Sequence, residues 1–100
     1  MKRLCVLLLL LVGCAGGLPH PTAEVAARAA RSQPDVTLES LEAGRDRYVQ
    51  RCSGCHNLVV PTAKQPQEWP RLVGKMAERA KLTPEDRLLI ERYLVALSSP

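Results

Sequence analysis

Cys52, Ser53, Gly54, Cys55 and His56 stand in a row, and this row constrains the fold more than any other part of the chain. Two thiols three positions apart can sit on one side of a short turn, with an imidazole directly behind them. This is the C-x-x-C-H pattern through which a c-type haem is attached covalently. Each thiol can form a thioether with a haem vinyl group, and His56 is carried under the ring as the proximal iron ligand. Ser53 and Gly54 are small enough for the backbone to approach the porphyrin edge. One such row means one haem.

Two other chemistries use this spacing. A thioredoxin-like C-x-x-C opens a helix after a strand within an α/β pattern. Here the residues before Cys52 read as helix, and no βαβ pattern exists. A structural zinc site needs a second ligand pair, whereas the only other histidine is His20.

The start of the chain bears on the compartment. Lys2 and Arg3 form a basic head, residues 4–12 an apolar run broken only by Cys5, and residues 13–17 a cluster of small side chains. That is an export signal, expected over residues 1–13 and set apart from the fold. The apolar run is far shorter than the ~20 residues that span a bilayer. Leu11, Val12, Gly13 and Cys14 resemble the lipobox of bacterial lipoproteins, in which the cysteine takes the lipid. The other reading is an ordinary signal cut between Ala15 and Leu18, with Cys14 discarded. With lipid on Cys14, every cysteine has a use: Cys5 leaves with the signal, and Cys52 and Cys55 take haem. Multiple acyl chains would anchor the protein stably on the extracytoplasmic, periplasmic side of a bacterial membrane.

The sequence has 14 Lys and Arg against 10 Asp and Glu. Lys2 and Arg3 leave with the signal, so the mature balance is 12 against 10, a net charge of +2. No nucleic-acid partner follows from so small an excess. Aromatic side chains that stack on bases are nearly absent: Tyr48, Trp69 and Tyr93 are all there are.

Residues 14–36 read as a lipid-anchored flexible tether. Gly16, Gly17, Pro19 and Pro21 open it, and an alanine-rich stretch over residues 23–31 could form about two helical turns but has little to bury and is short for an autonomous helix. Such a tether would let the domain swing and raise its effective concentration near membrane partners. The folded part is then residues 37–100, a domain that buries little surface by itself. A covalently held porphyrin would supply the missing apolar centre, and without it the domain is expected to be unfolded or molten.

The expected architecture is all-α, about three helices around one covalently bound haem. Thr37 caps a helix over residues 38–51 marked by Leu38, Leu41, Tyr48 and Cys52, with Gly44 inside it. A second helix starts between Pro66 and Pro70 and carries Trp69, Leu72, Val73, Met76, Ala77 and Ala80 on one face. Thr83 caps the last helix, with Pro84 at its first position and the stripe Leu89, Ile90, Tyr93, Leu94 and Leu97.

This arrangement resembles small class I-like c-type cytochromes. The likeness covers roughly residues 38–97: Gly44 and Tyr48, then C-x-x-C-H, then Trp69 with Met76 seven residues later, then Tyr93-Leu94. The interval from His56 to Met76 is very short for the family. The resemblance implies that the first and last helices cross with Gly44 against Tyr93. It also implies that the Trp69 indole N–H donates to a haem propionate, although plain burial of the ring is an equal alternative. The Pro61 carbonyl is a further candidate, as acceptor for the second nitrogen of His56. Arg45, Arg47 and Arg51 either pair with propionates, steer an acidic partner or form a solvated face.

Met76 is the expected sixth ligand, against His20, Lys64, Lys75 or an open position. A His56/Met76 pair fills both axial sites and leaves none for a small-molecule substrate. The expectation is therefore electron transfer between a redox-protein donor and acceptor, not an enzyme. The alternatives are a haem-based sensor or peroxidase-like protein with an open axial site, and a thiol oxidoreductase using Cys52 and Cys55.

Overall fold

The computed structural model of the chain describes residues 17–53 and 58–100. The expected export signal, the lipid cysteine Cys14, and Gly54, Cys55, His56 and Asn57 of the motif turn lie outside the described residues. The described residues are all-helical. In chain order they form α1 (Ala23–Ala29), α2 (Leu38–Cys52), two 3-10 turns (Pro61–Ala63 and Pro66–Glu68), α3 (Trp69–Ala80) and α4 (Pro84–Ser98). Among the described residues these are four α-helices: three in the expected domain, and α1 in the alanine-rich stretch expected to form about two turns.

Local chemistry explains most boundaries. Thr37 accepts from the Ser40 backbone N–H while the Ser40 hydroxyl accepts from the Thr37 N–H, a reciprocal cap that starts α2. Thr83 accepts from the Asp86 N–H and Pro84 follows it, starting α4. The helix expected from Pro66 begins as a 3-10 turn closed by Glu68 accepting from the Gln65 N–H, and it becomes regular at Trp69. Pro70, which lacks an N–H, falls in the first turn of α3, where helix donors are unpaired anyway. Lys81 ends α3 in the left-handed region (φ 52°, ψ 48°) and donates its N–H to the Ala77 carbonyl.

α4 is the hub, packed on α1, α2, α3 and both 3-10 turns. Its closest partner is α2. Gly44 makes that approach feasible. A Cβ on Gly44 would lie 2.1 Å from the Leu89 carbonyl oxygen and 2.8 Å from the Tyr93 Cβ. The expected Gly44–Tyr93 contact is thus present. Tyr48, Trp69, Val73, Ile90, Tyr93 and Leu94 form the centre of the core, together with Cys52 at the end of α2.

Residues 18–36 differ from the expected tether. Leu18 is buried in the main core cluster, and Pro21 is buried as well. The Arg45 guanidinium donates twice to the Leu18 carbonyl, at 3.4 and 3.2 Å, and the Tyr93 hydroxyl donates to the Pro19 carbonyl at 2.7 Å. Thr22 caps α1, and Ala26 packs with Val36, Leu41 and Ala96 in a second cluster. Asp35 pairs with Arg92 of α4. Seven residues are too few to hold a helix alone, so α1 owes its shape to surfaces far away in sequence.

Candidate functional site

The end of α2 brings Cys52 into the core, 6% exposed, at the point where the C-x-x-C-H row begins. The chain returns at Leu58 and Val59, both half-buried against the same cluster. Tyr48 fixes this return. Its hydroxyl donates to the Val59 carbonyl at 2.7 Å and accepts from the Val59 N–H at 3.1 Å. One side chain from α2 therefore satisfies both backbone groups of a residue just past the motif. Its ring lies 6.3 Å from that of Tyr93. Burial pushes both phenols up to about 12; for Tyr48 the bond to Val59 opposes this, and for Tyr93 the Arg45 charge opposes it.

Val59 also lines an open-sided groove of about 600 Å³ on the flank of α3. Its apolar wall is Val59, Trp69, Leu72 and Met76, and its rim carries Lys64, Lys75, Arg79 and Glu78. The expected apolar stripe of α3 thus divides in two. Trp69 and Val73 point into the core and are 1% exposed. Leu72 and Met76 stay half-buried and face the groove.

Trp69 follows the alternative of plain burial, at 1% exposed. Its indole N–H donates to the Pro61 carbonyl at 3.0 Å, in a buried position. The donor considered for a propionate is thus paired with the carbonyl considered for His56. The pair of short 3-10 turns between them brings the Pro61 carbonyl within reach of the indole N–H. A carbonyl has two lone pairs, so Pro61 keeps one acceptor site, while the Trp69 N–H has no second proton to give. The ring itself still walls the groove.

The three arginines of α2 make contacts within the fold, and Arg47 and Arg51 keep the solvated character that was one of their expected roles, with side chains 43% and 50% exposed. Arg45 holds the Leu18 carbonyl. Arg47 and Arg51 both reach Asp86 in the first turn of α4, at 3.2 and 3.6 Å. Asp86 is 7% exposed. A carboxylate at a helix N-terminus also meets the positive end of the dipole. No periodic signal marks these pairs, because the partners lie on different elements.

Fit to a porphyrin can be judged on these residues. The groove has an apolar wall that includes the half-buried Met76, and three cations with one carboxylate on the rim, a net positive mouth that suits a flat apolar group bearing carboxylates. Among the described residues, no three His, Cys, Asp or Glu side chains gather into a metal-holding group. No described helix is long and apolar enough to cross a membrane. Comparison with protein-family models, with curated proteins and with solved structures returns no match.

Proposed function

We propose that the protein is a monohaem c-type electron carrier, exported and lipid-anchored to a bacterial membrane, that passes electrons between larger redox proteins. The observation that carries this reading is the position of Met76. It lies half-buried in the apolar wall of a groove that also includes Val59, three residues after His56 in the chain. Three residue steps separate His56 from Val59, a reach of at most about 11 Å. Haem held by Cys52, Cys55, His56 and Met76 would supply a one-electron iron couple.

The chain's own residues then have definite tasks. Tyr48 ties Val59 to α2 and so restrains the segment that follows His56. Trp69 and Leu72 exclude water from one side of the groove. Lys64, Lys75 and Arg79 offer charge at its mouth, where carboxylates and an acidic partner surface would meet them.

The thiol oxidoreductase reading is disfavoured by the same geometry. A reactive thiolate is favoured at a helix N-terminus and needs solvent access. Cys52 is buried and sits at the C-terminal, negative end of α2.

The decisive experiment is an intact mass of the chain exported by a host with haem-attachment machinery, paired with a haem stain of the denatured protein. A mass increase of one haem is expected, and it should disappear in a Cys52→Ala/Cys55→Ala variant. A parent chain without the added mass overturns the assignment.

A further inference from the structure

We infer that residues 18–36 are a docked strap, and that it holds the face between α2 and α4 beside Arg45 and Tyr93 against the bilayer. The inference rests on the reading of Cys14 as the lipid-bearing residue. It commits this face to one partner, a lipid surface.

The strap is fastened at five separate points along its length. The Leu18 side chain is buried, and its carbonyl takes two N–H groups from Arg45. The Pro19 carbonyl takes the Tyr93 hydroxyl. Ala26 and Val36 pack against Leu41 and Ala96. Asp35 pairs with Arg92. These contacts span α2 and α4, so the segment is bound to the rigid centre of the domain.

The length of chain beyond the strap sets the distance to the membrane. Only four residue steps separate Leu18 from Cys14. Fully extended they reach about 14 Å, and as a flexible chain about 11 Å. An unpacked tether from Cys14 to Thr37 would have 23 steps and a root-mean-square reach of about 26 Å. A domain within 14 Å of its anchor at one fixed exit point cannot turn every face to the lipid. The exit point is the α2/α4 face.

The test is neutron reflectometry of the lipidated, haem-bearing full chain on a supported phosphatidylethanolamine and phosphatidylglycerol bilayer. A thin water gap between headgroups and protein is expected. Inserting twelve Gly/Ser residues between Gly17 and Leu18 leaves every strap contact in place. With the strap docked, the free segment grows from four to sixteen steps and the mean gap about doubles. With residues 14–36 already loose, the same insertion lengthens the reach by only about a quarter, and that result overturns the proposal. Leu18→Asp should widen the gap without any insertion. Haem absorbance is read on the same film: its absence with a thin gap would sink the electron-carrier reading and leave the strap standing. A chain that rinses off the bilayer overturns the anchor and the strap's role together.

Discussion

The two sides of α4 are built on opposite terms. On the α2 side the backbones nearly touch at Gly44, and Leu41, Tyr48, Ile90, Tyr93 and Leu94 are all no more than 1% exposed. On the α3 side, Trp69 and Val73 reach the core, but Leu72 and Met76 stop at an open groove. Helix crossings of the first kind are complete in protein atoms alone, at the density of a close-packed interior. The second side keeps apolar surface half in water, which costs free energy unless a further apolar body covers it. The contrast teaches that this chain spends its limited core on one rigid crossing and leaves Leu72 and Met76 half-buried on the flank of α3.

The crossing is most directly broken at Gly44. An added methyl would meet the Leu89 backbone carbonyl, which has no rotamer to move aside. Gly44→Ala should cost about 3 kcal/mol, at the upper end of ordinary overpacking. For a domain of this size that is a fall of roughly 12–24 °C in Tm. Thermal unfolding followed by circular dichroism checks it. A drop below about 4 °C would mean that the two helices are not in contact here.

Much of the crossing was legible because its signals are local. Thr37, and Thr83 with Pro84, mark helix starts by short-range hydrogen bonding, and α2 and α4 begin at Leu38 and Pro84 as expected. The stripe of α4 repeats with helical period, and its members are buried or half-buried. The groove side was legible only in part. Periodicity put Trp69 and Met76 on one face of α3, but it does not say where that face turns from core to groove. Trp69 found Pro61, eight residues back, through two 3-10 turns that no pattern announces. The strap was missed for a related reason. Glycine, proline and alanine read as linker, yet Leu18 gains burial from residues 30 to 76 positions away, and Ala26 from residues 10 to 70 positions away.

Tyr48 joins the two sides, since it belongs to the crossing and ties down Val59 at the groove. Tyr48→Phe leaves a backbone donor and a backbone acceptor unpaired and should cost about 2 kcal/mol at neutral pH. Alkaline titration sharpens the point. Both phenols titrate near 12 in the fold, against an ordinary value of 10.0. Below pH 10 both states keep their protons, and the tyrosines contribute in full. Between pH 10 and 12 the unfolded chain loses phenol protons that the fold retains, so stability falls as pH rises. Urea midpoints across that range should decline in the parent and decline less steeply in Tyr48→Phe. Parallel slopes would show that Tyr48 is not shielded from solvent.

The smallest stability change is expected at Met76, and there the two sides can be told apart most cleanly. Met76→Leu conserves volume, and on a half-buried position the packing cost stays below about 1.5 kcal/mol. If the groove holds haem with sulfur on the iron, the substitution removes a ligand that leucine cannot replace. The ferrous protein should then bind carbon monoxide, visible as a shift of the main haem absorption band, while the parent does not. The midpoint potential should fall as well, because a thioether ligand raises it. A variant that melts far below the parent, with unchanged carbon monoxide behaviour, would place Met76 in the same category as Val73. The open flank would then be ordinary core, and its difference from the crossing would vanish.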